Sequence, residues 1–198
     1  MEAAGIGKPD ISILSDAFLQ EVREMPQRNL AIEALKKLLE GQIRSRTRSN
    51  ITEAEAFSQR LEQAVARYHA NALTSAQILD ELIRMARDMA SARDRGEELG
   101  LTQEEIAFYD ALAQNQSAKE AMGDPKLRVI ATALVKTIRE NATVDWTVMA
   151  QARAKMRTSV KRLLRHYGYP PDMEAEAVKH ILRQAEQFAP IWAGQGEL

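Results

Sequence analysis

The sequence predicts an all-α fold, an irregular bundle of about eight to nine helices with no sheet. Apolar residues recur three and four positions apart along most of the 198 residues, which is the periodicity of amphipathic helices. Nine glycines and six prolines leave few residues that break a helix. Alternating apolar runs rich in β-branched residues, which are typical of strands, are missing.

Polar capping residues mark most of the predicted helix starts. In the first half of the chain the predicted helices begin at Ser15, Leu30, Thr52 and Thr74. Thr52 with Glu55, and Thr74 with Gln77, have the spacing of a capping box. The second helix is predicted to span 30–43, and Gly100 is predicted to follow the end of the fourth.

The second half of the chain contains four further predicted helices. They begin at Thr102, at Asp124 followed by Pro125, at about residue 144, and at Asp172. The helix over 144–167 is long and ends at Gly168, where glycine is the favoured residue after a helix. Pro190 is predicted to end the last helix.

The domain organisation is predicted to be simple. Residues 1–14 read as a leader or linker, and residues 15–198 as one all-α domain. The polar stretch 91–100 leaves open a division into two packed helical lobes, about 15–95 and 101–189. No apolar run approaches the roughly 20 residues that span a membrane, and residues 1–10 lack the features of a secretory signal. We therefore expect a cytoplasmic protein without a membrane partner.

The residues argue against catalysis, a metal site or a cofactor within this chain. Without cysteine there is no disulfide framework, thiolate zinc site or thiol nucleophile. Residues 5–9 resemble a phosphate-binding loop only weakly. Asp10, Asp124 and Lys126 have the residue types of a nuclease pattern, but not its usual structural setting. The three histidines are not spaced as a helical metal pair: His69, His166 and His180.

The helix over 144–167 is the most informative segment. The formal net charge of −1 hides an acid-free stretch over 153–165. The apolar stripe predicted for this helix is Trp146, Met149, Met156, Val160, Leu163 and Tyr167, and the cations spread over the opposite face are Lys155, Arg157, Lys161, Arg162 and Arg165. Such a face binds phosphates or an acidic protein surface, or else it is a solvated face near acids of other helices.

Two further basic features leave alternatives open. Arg153 falls inside the predicted apolar stripe, so it needs a partner such as Asp145 or Asp110, or lies at an interface. The three arginines Arg44, Arg46 and Arg48 alternate with small polar residues. In an extended segment they would follow a phosphate backbone; otherwise they belong to a helix C-terminus and a polar loop.

Several motifs carry a family resemblance. They are residues 138–146 (IRENATVDW), 153–157 (RAKMR), 160–164 (VKRLL), 167–171 (YGYPP) and 108–112 (FYDAL), with Asn29-Leu30-Ala31 before Leu38-Leu39. Together they resemble the C-terminal region of the motor (restriction) subunit of type I restriction–modification enzymes. On these motifs, Asn141, Asp145, Trp146 and Tyr167 join Arg153 as predicted structural or interface residues.

The resemblance implies a much longer parent protein, which uses ATP and Mg²⁺ to translocate and cleave DNA. Its C-terminal region is expected to dock the motor on the modification and specificity subunits and to help hold double-stranded DNA. It is also expected to contact the other domains of the motor subunit. The parent's nuclease and ATP-binding motifs do not occur in this chain, so no enzyme activity is expected of it. The alternative is a module that binds only the partner subunits and does not touch DNA.

Overall fold

The computed structural model describes residues 15–142 and 146–195, with side chains as far as Trp192. Within these residues the chain forms nine helices and no strand, so the predicted all-α class is confirmed. The helices are α1 (Asp16–Glu24), α2 (Arg28–Arg46), α3 (Ile51–His69), α4 (Ser75–Leu99), α5 (Gln103–Ala113), α6 (Gln116–Met122), α7 (Asp124–Asn141), α8 (Ala150–His166) and α9 (Glu174–Gln195). No helix in the described part of the chain has the length and apolar character needed to cross a membrane.

Three predicted caps are confirmed by their hydrogen bonds. The Ser15 hydroxyl accepts from a backbone N–H in the first turn of α1 at 3.3 Å. Thr74 and Gln77 bond each other's backbone N–H groups at 2.8 and 3.3 Å before α4. Thr102 and Glu105 do the same at 2.8 and 3.3 Å before α5. These caps use groups three residues apart, so local spacing was enough to find them.

The second helix is longer than the predicted 30–43, since α2 runs from Arg28 to Arg46. The starts of α3 and α7 also differ from the prediction. α3 is capped by Asn50, whose side-chain oxygen accepts from the N–H of Glu53 at 3.0 Å, so Thr52 is already helical. α7 is preceded by Gly123, with φ at +74°, and Asp124 is the first residue of the helix and not its cap. Glycine adopts this left-handed backbone without the steric cost of a Cβ atom.

The last two helices also differ from the prediction. α8 begins at Ala150 and not near residue 144, because residues 146–148 form a turn. α9 begins at Glu174, after a turn through Asp172, and it continues past Pro190. Proline removes one helical N–H, yet the final turn stays helical, with Trp192 Nε1 donating to Glu104 at 2.9 Å.

α6 was not predicted. Asn115 caps it by accepting from the N–H groups of Ser117 and Ala118 at 3.0 and 3.4 Å. Its seven residues bury a single side chain, that of Ala118. A helix this short with one small buried residue has no apolar periodicity to detect.

The chain divides into two compact units, each with its own core. The first contains residues up to Arg46 and Ala54–Arg95, and the second contains Thr47–Glu53 and the residues from Gly96 onward. The first core includes Leu19, Leu35, Leu39, Leu82 and Met85. The second core includes Phe108, Leu127, Trp146, Met156 and Ile181. The expected leader, 1–14, lies outside the described residues.

Residues 47–53 belong to the second unit although the rest of α3 belongs to the first. Buried Asn50 donates to Asp110 on α5 at 2.6 Å. Buried Gln184 on α9 accepts from the N–H of Ile51 at 2.8 Å and donates to the carbonyl of Ser49 at 3.3 Å. These hydrogen bonds hold the segment against α5 and α9. Sequence spacing could not reveal them, because the partners are far apart in the chain.

Candidate nucleic-acid interface on the eighth helix

One face of α8 packs into the second core. Met156, Val160 and Leu164, spaced by four residues, are 1%, 0% and 0% exposed. Leu163 and Tyr167 are half-buried beside them. The apolar stripe was therefore predicted correctly at Met156 and Val160, but the prediction named half-buried Leu163 and missed Leu164, which is fully buried.

The start of the predicted stripe is partly wrong. Trp146 is 2% exposed as expected, but it lies in the turn before α8. Met149 precedes the helix and is 55% exposed, and its neighbour Val148 is 84% exposed. Because the chain turns at 146–148, the helical periodicity does not continue through Met149.

Two arginines of α8 bind carboxylates of α9. Arg165 donates from Nε and Nη2 to the two oxygens of Glu174 at 2.7 and 3.0 Å. Arg153 donates from Nη2 to Glu186. The Glu174 side chain is 7% exposed, whereas that of Arg165 is 69% exposed. The planar guanidinium thus satisfies both oxygens of a buried carboxylate from the solvent side.

Charge and hydrogen bonding shift the pKa of both partners in the Arg165–Glu174 pair. The hydrogen bonds from Arg165 hold the pKa of the Glu174 carboxyl below its ordinary value of 4.5, against the opposing effect of burial, and the charge of Lys161 adds to the lowering. The pKa of Arg165 is raised by the same contact. The Glu174 carboxylate is therefore stabilised in its ionised form by Arg165.

Arg153 is not inside the apolar stripe, contrary to the prediction. Its side chain is 50% exposed, and Glu186 is its carboxylate partner. Of the two partners considered from sequence, Asp110 accepts from Asn50 instead. Asp145 lies outside the described residues.

Three predicted DNA contacts on α8 remain free. Lys155, Arg157 and Arg162 are exposed and form no ion pair with any residue that the structure describes. Lys161 is half-buried near Glu174. The predicted cationic face therefore divides into cations that bind α9 acids and cations that face solvent.

The second basic cluster is not an extended segment. α2 continues through Arg46, so Arg44 and Arg46 lie in its last turn and Arg48 in the turn that follows. Arg46 donates to the carbonyl of Met89 and lies over the Phe57 ring at 5.7 Å. Arg44 and Arg48 are exposed. The helix C-terminus that was considered from sequence is the observed arrangement, since cations favour the negative end of a helix dipole.

The remaining motif residues have local roles. Asn141 donates to the carbonyl of Thr137 at 2.8 Å inside the last turn of α7. Tyr167 follows α8, and its ring meets that of His166 edge-on with centroids 5.2 Å apart. Trp146 Nε1 has no hydrogen-bond partner among the described residues.

The motif residue Arg139 makes a contact that its sequence spacing did not indicate. Arg139 donates to both oxygens of Glu104 at 2.7 and 2.7 Å and lies 5.5 Å from the centroid of the Trp192 ring. Trp192 also donates to Glu104. The three residues join α5, α7 and the end of α9, which gives Arg139 in the 138–146 motif a structural role.

The acids of the described residues are not arranged as a metal site. No group of three or more His, Asp or Glu side chains in the described ranges could hold a metal ion. Asp124 accepts from Tyr109 at 2.8 Å and lies 3.8 Å from Lys119 Nζ. Asp10 lies outside the described residues. The donor set therefore does not fit the Mg²⁺ that the resemblance implies for the parent protein.

Comparison with known proteins identifies related sequences. Residues 1–190 match the family described as "Type I restriction enzyme HindI endonuclease subunit-like, C-terminal". The chain is 43% identical over 187 residues to the type I restriction enzyme HindI endonuclease subunit of Haemophilus influenzae, which covers 94% of this chain and 18% of that protein. It is 31% identical over 163 residues to a protein of Methanocaldococcus jannaschii named as a putative type I restriction enzyme MjaIXP endonuclease subunit, covering 81% of this chain and 16% of that protein.

These relatives are much longer than the chain. The matched region is less than a fifth of either protein. No solved structure matches the chain.

Proposed function

The chain belongs to the family of C-terminal domains of type I restriction enzyme endonuclease subunits, and from this membership we propose that it is a non-catalytic domain with two roles. It contacts the phosphate backbone of double-stranded DNA without reading base sequence. It also helps to join the endonuclease subunit to the modification and specificity subunits in the cytoplasm. The resemblance to this family is confirmed by the match over residues 1–190.

The observation that carries the DNA role is the set of free cations on α8. Lys155, Arg157 and Arg162 point to solvent without an acid to neutralise them among the residues described. Lys155 and Arg162 are seven residues apart, so they lie about 20° apart around the helix and about 10.5 Å apart along it. Arg157 lies about 160° from Lys155 around the helix, so only Lys155 and Arg162 share one side. Phosphate is a suitable partner because neutralising it with lysine and arginine releases bound counterions.

Arg165 and Arg46 are not included in the proposed contact. Arg165 binds buried Glu174, and Arg46 binds the carbonyl of Met89. Both were predicted from sequence as DNA contacts. Those two contacts stay predictions, and the present proposal does not depend on them. Arg44 and Arg48 are exposed and stay secondary candidates.

The test is a mobility-shift titration of a duplex of about 30 base pairs at several salt concentrations. We expect Lys155→Gln, Arg157→Gln and Arg162→Gln together to weaken binding and to reduce the slope of log K against log salt by about 2, because only Lys155 and Arg162 lie on one side of α8. The matched control removes the exposed first-unit cations Arg28, Lys37 and Arg93 by the same change. Equal losses in both triple variants, or no loss in the α8 variant, would reject the α8 contact.

A second candidate, a module that binds only protein, is favoured by a different observation. Val148 and Met149 are adjacent, apolar and 84% and 55% exposed. Exposed apolar side chains that lie together form the kind of patch that marks a protein contact, whereas single ones are ordinary on a surface. Replacing both with serine should then reduce capture of the modification and specificity subunits, and the wild-type chain should not bind free duplex DNA even at low salt. Capture that persists at wild-type strength would count against this contact.

ATP and Mg²⁺ are proposed for the rest of the parent subunit only. The described residues hold no group that fits a metal ion, and we assign no catalytic step to this chain. Titration of the chain with Mg²⁺ and ATP in a calorimeter should give no heat of binding. Saturable binding would reopen the question of a cofactor.

A further inference from the structure

A lysine of α7 lies beside the end of α8. The Nζ atom of Lys126 is 3.8 Å from the position that a Cβ atom on Gly168 would take. Lys126 is the third residue of α7, and Gly168 is the second residue after α8. Because the start of α7 meets the end of α8, and residues 142–149 connect their other two ends, the two helices run antiparallel. A cation of α7 therefore lies next to the C-terminal end of α8.

Lys126 has no acid to neutralise it. It is exposed and forms no ion pair with any residue in the described ranges. Asp124 lies about 160° from it around α7, accepts from Tyr109 at 2.8 Å and lies 3.8 Å from Lys119 Nζ. The first turn of α7 carries the positive end of the helix dipole, which disfavours a lysine. The negative dipole end of α8 is the one structural reason for an ammonium group at this place.

The cations of α8 lie on two sides of the helix. Every fourth residue over 153–165 is a cation, and both ends of this row bind acids of α9. Lys155 and Arg162 lie outside the row, about 160° and 140° from Arg157 around the helix. Besides α9, the main neighbour of α8 is α7. Since the row faces α9, Lys155 and Arg162 lie on the side toward α7, where Ser159 is half-buried.

We propose that Lys126 contacts the phosphate backbone of DNA together with Lys155 and Arg162, so that the binding surface crosses from α8 to α7. This contact rests on the proposed DNA role and identifies the side of α8 that performs it. Lys155 and Arg162 are about 10.5 Å apart along the helix, and Gly168, beside Lys126, is about 9 Å beyond Arg162. The three cations thus cover about 20 Å, which matches about six phosphates of one strand at about 3.4 Å each.

The α9 side of α8 is poorly suited to phosphate because carboxylates of α9 lie there. Glu174 and Glu186 bind the arginines at the two ends of the row. Both carboxylates would repel a phosphate placed beside Arg157, which lies between those arginines on α8. The side toward α7 therefore offers phosphate the more favourable field.

The test is the salt titration of a duplex of about 30 base pairs, applied to single variants of the full chain. We expect Lys126→Gln to reduce the slope of log K against log salt by about 1 and to weaken binding by about fivefold at about 0.15 M salt. Lys179→Gln is the matched control, because Lys179 is an exposed lysine of α9 without an ion pair among the described residues. Lys179→Gln and Arg157→Gln should leave the slope unchanged, and Lys126→Arg, which keeps the charge, should retain it.

An unchanged slope in Lys126→Gln would overturn the proposal, and so would an equal loss in either control. A loss in Lys126→Arg as large as that in Lys126→Gln would show that the lysine only supports the end of α8. If the triple variant of α8 weakens binding and Lys126→Gln does not, the DNA role of α8 stands and the contact through α7 is rejected. If the wild-type chain does not bind the duplex, the DNA role itself is rejected.

Discussion

Arg165 and Glu174 form a two-point ion pair in which the arginine is exposed and the carboxylate is buried. Arg153 and Glu186 form a second pair between the same helices. The two arginines are twelve residues apart on α8, and the two glutamates are twelve residues apart on α9 in the opposite order along the chain. The two pairs therefore lie about 18 Å apart along antiparallel helices, one near each end of α8.

The first prediction concerns Arg165. Replacing it with alanine leaves the buried Glu174 carboxylate without a partner, which is strongly unfavourable. We expect the urea concentration at the midpoint of unfolding to fall clearly, as measured by circular dichroism. Arg162→Ala, the matched control, removes an exposed cation without a described partner and should leave the midpoint unchanged. Equal midpoints for the two variants would show that the pair does not stabilise the fold.

The second prediction is a dependence of stability on pH. Arg165 holds the pKa of folded Glu174 below its ordinary value of 4.5. A lowered folded pKa contributes stability above the unfolded value, and this stability is lost as the pH falls through the folded value. The difference in unfolding free energy between the wild type and Glu174→Gln should therefore be largest above pH 4.5 and shrink below it.

Denaturant unfolding between pH 3 and pH 7, about the range in which carboxyls titrate, measures this difference. The control is Glu21→Gln, which changes an exposed carboxylate without a described partner. Its difference from the wild type should stay near zero at every pH. A Glu174→Gln difference that is constant with pH would contradict the proposed role of the carboxylate.

The third prediction compares two neighbours at the start of α3. Asn50 caps the helix and bonds Asp110, whereas Thr52, the cap expected from sequence, is inside the helix. Asn50→Ala should cost about 2 kcal/mol, because it removes a cap and a buried hydrogen bond. Thr52→Ala should change stability by less than about 0.5 kcal/mol. Thermal and urea unfolding of both variants distinguish these outcomes, and a larger loss in Thr52→Ala would restore the sequence-based cap.

The fourth prediction tests where the buried face of α8 begins. Met156 is 1% exposed and Met149 is 55% exposed, so the same substitution should have unequal effects. Met156→Ala should cost about 2–5 kcal/mol by leaving a cavity in the core. Met149→Ala should stay within about 0.5 kcal/mol of the wild type. Similar losses at both positions would mean that Met149 is buried after all.

Local patterns predicted most helices and several of their ends. The Thr102–Glu105 cap is set by groups three residues apart, and the spacing of Met156 and Val160 predicts their common burial correctly. Apolar spacing gave the wrong result at Met149, because it does not indicate that a turn separates this residue from the helix. It also missed α6, which is too short to show a period.

The partners of the charged residues could not be predicted from spacing. Arg165 meets Glu174 only because the chain turns at residues 167–173, and Arg139 meets Glu104 across 35 positions of sequence. The sequence showed that residues 153–165 lack acids, but not which cations would meet acids of another helix. The packing of α9 against α8 divides the cations of α8 into two groups. Arg153 and Arg165 meet acids of α9, whereas Lys155, Arg157 and Arg162 do not.

The division into two units makes the tryptophans selective reporters. The chain has two tryptophans, Trp146 and Trp192, and both belong to the second unit. Their fluorescence during denaturation follows the second unit alone, whereas far-ultraviolet circular dichroism follows the helices of both. Coincident transitions would mean that the two units melt as one cooperative block. Separate transitions would mean that each unit melts on its own.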